Sequence, residues 1–511
     1  MSKYILAHDI GTTGNKAAVF NNNGKMVSSV YIPYPTYYIK ATWVEQDPED
    51  WWKAVCESTK IILDKTKIKP CDVAVVSFSG QMMSNFPIDK NGNTLRKKVI
   101  IWADARAQNQ ATSIKNKIGF KKYYEATAAG QVIETYAIAK ILWQKENEPE
   151  IYKEAYKFLF TKDYIICRLT GNFVTDFTDA SNSGLFNINN KQWAKERLEI
   201  IGLDLEKLPD IYESTKVVGK VKKDVAHEIG LLSGTPVVVG AGDMIASATG
   251  SGLIEEGDAY IYMGSASWLG VATNRPLFDL DTRIISLCHA IPGSYAPHHT
   301  MFSAAICYQW ARDIFYQAEK EIVENINIDI YNFMDKQAEK IKPGSEGIIF
   351  LPYMRGGGAP YHDPNARGLF IGLNLAHKKS HFIRSILEGV AFNLNMFLEN
   401  ITSKGITINE IRFIGGGAKS LLWGQIIADI TGKTIAITEL SQEANSLGAA
   451  ILGGVGIGLI KDLREAKNIV VIKKRINPIK NNHLIYRKYF DIFKNCYSKN
   501  KDIFRELSQS S

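Results

Sequence analysis

Asp9 stands two residues ahead of a short turn, Gly11-Thr12-Thr13-Gly14, in the opening stretch HDIGTTGNKAAVF. These residue types can do phosphate chemistry. Glycines let backbone N–H groups approach a phosphate closely, threonine hydroxyls donate hydrogen bonds, and a carboxylate can hold a hydrated metal ion. The same stretch also reads as a plain hairpin, with YILAHDI and KAAVF as strands around GTTGN, and a hairpin requires no function. Three later segments use the same devices. TPVVVGAGDMIASATGSG is an apolar strand, a turn carrying Asp243 and a helix of small residues. AYIYMGSASWLGVAT is a strand, a turn with Gly264, Ser265 and Ser267, and a return strand. IRFIGGGAKSLLWGQIIADITG is a strand that enters Gly415, Gly416 and Gly417 and then, past Ser420, a helix. Such a junction leaves room for a planar or phosphorylated group at the helix N-terminus, although neither GxxxxGK[ST] nor GxGxxG is present.

The elements that must position these residues alternate. In the first half, β-rich runs (YILAHDI, KAAVF, VAVVSFS, VIIWAD) are separated by helical patterns such as DPEDWWKAVCESTKIILDKT, where Asp47 is an N-cap ahead of Pro48 and Trp51, Val55, Ile62 and Leu63 fall near helical spacing. Alternation of this kind predicts an α/β fold. The repeat of the strand-turn-strand plan near residue 260 points to an internal duplication, hence two domains, 1–248 and 249–511, with Gly250, Gly252 and Gly257 as a hinge.

The chain has 511 residues, 45% hydrophobic and 22% charged, enough for two large cores. A net charge of +8 with scattered Lys and Arg, and no basic stripe interleaved with aromatics, argues against a nucleic-acid partner. The six cysteines are far apart without CxxC or zinc spacing and read as buried thiols of a reducing compartment. No leader is legible and no apolar run reaches about 18 residues, so a cytoplasmic protein with no membrane contact is expected. His298 and His299 lack ligand partners at metal spacing and read as an exposed loop. Trp102 and Trp143 read as core rather than ligand, Asp104 and Arg106 can pair with each other at the surface, and Met82 and Met83 read as a pocket wall.

Taken together, DIGTTGNK, GAGD, MGSAS and GGGAKS have the order and spacing of the two-domain, actin-like (ribonuclease H-like) ATPase fold of sugar kinases, with its active site in the interdomain cleft. Over nearly its whole length the chain resembles the FGGY family of carbohydrate kinases. ETYAIAKILWQKENEPEIY, with Lys140 and Trp143, is similar to the family's first diagnostic block. RGLFIGLNLAHKKSHFIRSILEGVAF, with Gly368, Gly372, His381 and Glu388, is similar to the second. EANSLGAAILGG, after the GGGAKS segment, resembles the adenine-side region. SGQMMSNFPIDKNGNTLRKKVIIWADAR is most similar to the xylulokinase-like subgroup, matching at Gln81, Met82, Trp102, Asp104 and Arg106. It departs from that subgroup at Met83, where histidine is usual, and Met244 departs where asparagine is usual.

The resemblance implies an ATP- and Mg²⁺-dependent transfer of phosphate to a hydroxyl of a small sugar, D-xylulose or a related ketose, with gluconate, ribulose, erythritol or another polyol as alternatives. A non-catalytic sugar or nucleotide sensor is the alternative from another class. In the family's terms Asp243 would be the base, and Asp9 with Asp243 would hold Mg²⁺. Gly11, Thr12, Thr13 and Lys16 would face the phosphates, with Gly264, Ser265 and Ser267 opposite them. Gly415, Gly416, Gly417 and Ser420 would bracket the adenosine. Gln81, Met82, Met83, Trp102, Asp104 and Met244 would meet the sugar. Family members are often dimers, so a homodimer is the expectation the resemblance carries.

Overall fold

The computed structural model describes residues 3–509. One seven-stranded sheet comprises β1 (Tyr4–Ile10), β2 (Gly14–Asn21), β3 (Met26–Pro33), β4 (Val73–Gly80), β5 (Val217–Lys220), β6 (Pro236–Val238) and β7 (Ala241–Gly242). A second comprises β8 (Ala259–Met263), β9 (Ser267–Val271), β10 (Ile285–Cys288), β11 (Tyr295–Met301), β12 (Glu410–Ile414), β13 (Thr434–Thr438) and β14 (Ile472–Ile476). The first runs β3-β2-β1-β4-β6-β5, with β7 alongside β4; the second runs β10-β11-β9-β8-β12-β13-β14. Directions along the two agree. In each, an antiparallel meander (β3-β2-β1; β11-β9-β8) is followed by two parallel strands (β4, β6; β12, β13) and an antiparallel edge (β5; β14). The duplication suggested by the two hairpin turns is thus a repeat of whole sheet topology.

The helices used below are α1 (Pro48–Thr66), α2 (Ala137–Asn147), α3 (Thr161–Thr170), α4 (Asp243–Ser251), α5 (Leu421–Thr431) and α6 (Ala444–Gly456). Asp47 caps α1 by accepting from the Glu49 N–H at 3.0 Å, and Trp51, Val55, Ile62 and Leu63 are buried, as their spacing predicted. The sheets are not separated as cleanly as the sequence is. Although α6 comes from the second half, Leu447 and Ile451 pack with Ile5, Ala7 and Val75 of the first sheet. It crosses α4 at backbone contact: a Cβ on Gly448 would lie 1.9 Å from the Ala246 carbonyl oxygen, and one on Gly250 1.9 Å from that of Ala444. Gly250, expected as a hinge residue, lies inside α4, where close packing on α6 requires a glycine.

Two surface expectations are corrected. His298 and His299 lie inside β11 rather than in an exposed loop, buried between β9 and β10. An imidazole can enter a core when its nitrogens find partners, and His299 Nε2 lies 2.7 Å from Asn400 Oδ1, His298 Nδ1 3.2 Å from the Ala296 carbonyl. Five cysteines are buried and unpaired as expected, but Cys71 is exposed. Among the described residues, no helix is long and apolar enough to cross a membrane.

Burial lowers the pKa of His299 to about 4, against 6.5 unperturbed. The unfolded state therefore takes up a proton below pH 6.5 that the folded state refuses until about pH 4, so this group removes stability as pH falls through that window. His299→Gln removes the titration. The stability of the parent relative to the variant, from urea unfolding at pH 7.5, 6.0 and 5.0, is expected to fall by about 1.4 kcal/mol per pH unit below 6.5. Parallel pH profiles would show that His299 protonates freely in the fold.

Candidate active site

Three mutually parallel strands converge on the site. β1 pairs with β4, and β4 with β7, so Asp9, Ser79 and Ala241 share a register and the strands end together at Ile10, Gly80 and Gly242. Asp9 sits at the end of β1 and Asp243 directly beyond β7. The carboxyl ends of parallel strands are where α/β sheets bind ligands, because the chain must leave the sheet there and opens a crevice.

Both carboxylates are half-buried and neither is ion-paired among the described residues. Asp9 Oδ1 accepts from Ser79 Oγ at 2.8 Å and from Asn445 Nδ2 at 3.3 Å. Its pKa is raised by burial, which outweighs these bonds and the charge of Lys16. Asp243 is pushed up to about 7 by burial and then by the negative charge of Asp9, although it accepts the Met244 N–H at 2.8 Å. A carboxylate near neutrality is suited to taking a proton from a hydroxyl. The peptide before it is held from behind: the Gly242 N–H donates to Thr178 Oγ1 at 2.9 Å, which donates to Asp176 Oδ2 at 2.7 Å. Asp176 is one of three buried carboxylates around buried Lys162, at 2.7 Å (Asp163), 2.9 Å (Asp176) and 3.0 Å (Asp179).

The first turn is rigidly braced. The Thr12 carbonyl accepts from Gln46 Nε2 at 2.6 Å and the Gly11 carbonyl from Tyr34 Oη. Thr12 Oγ1 accepts from Trp102 Nε1 at 2.8 Å, and Thr13 Oγ1 from Tyr31 Oη at 2.9 Å. Each hydroxyl keeps its own proton to give. Lys16 is turned to the second half of the chain: Nζ donates to the Gln442 carbonyl at 3.1 Å and lies 3.7 Å from Glu443. EANSLGAAILGG, read as adenine-side, therefore begins at the first turn, with Asn445 on Asp9.

The second turn faces the same cleft. Burial, and then the charges of Asp243 and Asp9, push the Tyr262 phenol up to about 12. Tyr260 Oη donates to the Met244 carbonyl at 2.9 Å, tying β8 to α4. Gly264 is half-buried and Ser265 exposed, but Ser267 is buried and donates to the Tyr262 carbonyl at 2.6 Å, so its hydroxyl serves the hairpin and not a ligand. The Gly415–Gly417 turn lies against this hairpin: at Gly415, with φ of 86°, a Cβ would stand 2.7 Å from the Met263 carbonyl oxygen. Gly416 is exposed, and Ser420 is the cap of α5, accepting from the Trp423 N–H at 3.0 Å.

The acceptor-side residues divide. Met83 and Met244 are half-buried, and Trp102, expected in the core, is 40% exposed and reaches across to Thr12. Trp143 is core, edge-on to Trp43. Met82 is buried against Gly242 and Asn182. Gln81 is buried and donates to Gln46 Oε1 at 2.8 Å. Asp104 is 0% exposed and its pairing with Arg106 is a buried one: Arg106 Nε lies at 2.9 Å and Nη2 at 2.7 Å, and the Val44 N–H donates at 2.6 Å. With both oxygens taken, Asp104 holds a framework and does not offer the sugar contact expected of it. Ser79, Asn445, Gln46, Tyr260 and Tyr262 were not singled out in sequence. Only SQEANS preceding a helix of small residues was a legible signal, for Asn445.

Asp104→Asn leaves Arg106 with Glu45 as its one carboxylate and weakens the bonds that Arg106 and the Val44 N–H make to Asp104, and is expected to destabilise the fold by about 1–3 kcal/mol in urea unfolding. Unfolding at the parent's midpoint would return Asp104 to the set of contact residues.

Known proteins agree with this architecture. The N-terminal domain of the FGGY family of carbohydrate kinases matches residues 4–250 and the C-terminal domain residues 259–457. Gluconokinase of Bacillus subtilis is 32% identical over 97% of this chain and 96% of its own. Xylulose kinase of the same organism is 30% identical over 98% of each. Among solved structures, gluconate kinase and ligand-bound xylulose kinase of Lactobacillus acidophilus each superpose with a TM-score of 0.90 at 29% identity, covering 99% of this chain and 100% of theirs. The chain thus belongs to the FGGY family of carbohydrate kinases, ATP-dependent enzymes that phosphorylate a sugar.

Proposed function

We propose that this kinase is Mg²⁺-dependent and phosphorylates a hydroxyl of a neutral ketose or polyol, with Asp243 as the base. The observation that carries this reading is the placement of two half-buried carboxylates, neither ion-paired among the described residues, at the ends of β1 and β7, with the pKa of Asp243 raised to about 7. Two carboxylates suit Mg²⁺, which keeps most of its waters and takes substrate phosphate oxygens as further ligands. Asp9 and Asp243 would hold it, and it would neutralise phosphate charge. Thr12, Thr13 and the Gly264–Ser265 turn give the phosphates donors from opposite sides, and the Gly415–Gly417 turn receives the adenosine. Phosphoryl transfer asks the protein mainly for such alignment and charge compensation. The domain division near 248 is proposed as the line along which the lobes close, with α6 crossing it.

Relatives named for xylulose and for gluconate fit the chain about equally. The acceptor side favours the neutral sugar. Gluconate brings a carboxylate that needs a cation when buried, and the two buried cations of the acceptor-side segments already have partners: Arg106 in Asp104 and Glu45, Lys140 in two carbonyls. Met83 and Met244 offer almost no hydrogen bonding, so xylulose bound as xylulokinases bind it loses two partners. At about 1–3 kcal/mol each, this weakens recognition by roughly ten- to a hundredfold per site. The acceptor then presents less polar surface there than xylulose does, or xylulose is used weakly.

Asp243→Asn is expected to lower kcat by about 10²–10⁴-fold while ATP affinity by calorimetry stays within a few-fold. A loss under tenfold places the base elsewhere. Chelation of Mg²⁺ is expected to stop turnover. ADP release across ketoses, polyols and aldonates identifies the acceptor, and absence of any stimulation would favour the sensor. Met83→His with Met244→Asn is expected to raise kcat/KM for D-xylulose; a parent KM for xylulose far below a millimolar would defeat the argument from lost hydrogen bonds.

A further inference from the structure

Lys140, in the first turn of α2, is completely buried and forms no ion pair among the described residues. An ammonium is costly to bury, and a methionine or leucine would fill the same space without that penalty. What the lysine has in exchange is two backbone carbonyls. Nζ donates to the Ile101 oxygen at 2.7 Å and to the Met83 oxygen at 3.2 Å.

Those carbonyls belong to the two segments that make the acceptor side. Ile101 immediately precedes Trp102, whose indole bonds Thr12 of the first phosphate turn. Met83 has φ of 62°, a left-handed backbone that a side chain disfavours by about 1–2 kcal/mol. Such a conformation persists only where its surroundings over-determine it. The structure supplies that determinant: the Met83 carbonyl ends on a buried donor that is itself fixed by a second carbonyl.

We propose that Lys140 is a positioning residue for acceptor recognition, holding Met83 in its left-handed conformation and clamping the Met83 and Trp102 segments at a set separation. This rests on the acceptor-side reading given above. The clamp does not depend on full charge. Burial, opposed by Asp104 and assisted by Arg106, lowers the lysine to about 7, and a neutral amine still has two N–H donors for its two carbonyls.

The test separates recognition from folding. Lys140→Met keeps length and apolar contact but removes the donors. With the acceptor most active in the panel as probe, its KM is expected to rise at least tenfold while the KM for ATP stays within twofold. In a Met83→Gly background, where glycine adopts the left-handed backbone without help, the same substitution is expected to cost less, so the two changes are not additive. An acceptor KM within twofold of the parent, equal rises for acceptor and ATP, or full additivity would each overturn the proposal. Trp102→Ala and Met83→Ala serve as controls for the underlying reading. If neither alters acceptor KM, the acceptor side lies elsewhere and both fall; if both raise it and Lys140→Met does not, only the clamp falls. Should Lys140→Met not fold, Lys140→Gln, which retains an N–H₂ for one carbonyl, replaces it. If that too is unfolded, Lys140 is a stability residue and the proposal fails.

Discussion

Two aspartates brought to one edge of a sheet are the constraint on which the rest of this molecule turns. Parallel pairing of β1, β4 and β7 places Asp9 and Asp243 at the same set of strand ends although 234 positions of chain separate their numbers. Burial raises the pKa of both, and at Asp243 the negative charge of Asp9 adds to it. The surroundings are built to hold the arrangement. Ser79 and Asn445 bond Asp9, and a chain through Thr178 and Asp176 to buried Lys162 fixes the peptide that carries Asp243.

The second requirement is that two sheets present their turns to one cleft. The α4–α6 crossing meets it. Glycines at 250 and 448 allow backbone contact, so the helix that starts at Asp243 and the helix that delivers Asn445 to Asp9 form one rigid pair. From the other sheet, Tyr260 bonds the Met244 carbonyl. Each sheet therefore reaches the helix that begins at Asp243 directly, through a few named contacts.

Buried and exposed residues are interleaved in the segments proposed for the acceptor side. Within WADAR, Trp102 is exposed to the cleft while Asp104 and Arg106, two and four residues on, are a buried pair that Glu45 also joins. Within SGQMM, Gln81 and Met82 are packed and Met83 is presented. Alternation of this kind would let polarity vary at Met83 and Met244 without loosening the frame beneath them.

By itself the sequence determined the local devices: the Gly-Thr turn after Asp9, the Gly-rich turn before α5, the Asp47 cap, the repeated strand-turn-strand plan, and through their order the family. These follow from residue type and short spacing, because turn geometry, capping and strand alternation are set within a few residues. Tertiary structure alone decided which polar groups are tools and which are supports. His298 and His299 became core because Asn400 and the neighbouring strands receive them; Asp104 became framework because Val44 and Arg106 saturate it; Ser267 turned inward. Asn445 reached Asp9 and Lys140 reached Met83 across 436 and 57 residues. A side chain's role at such sites depends on what desolvates it and what bonds it, and those partners come from elements that only folding brings together.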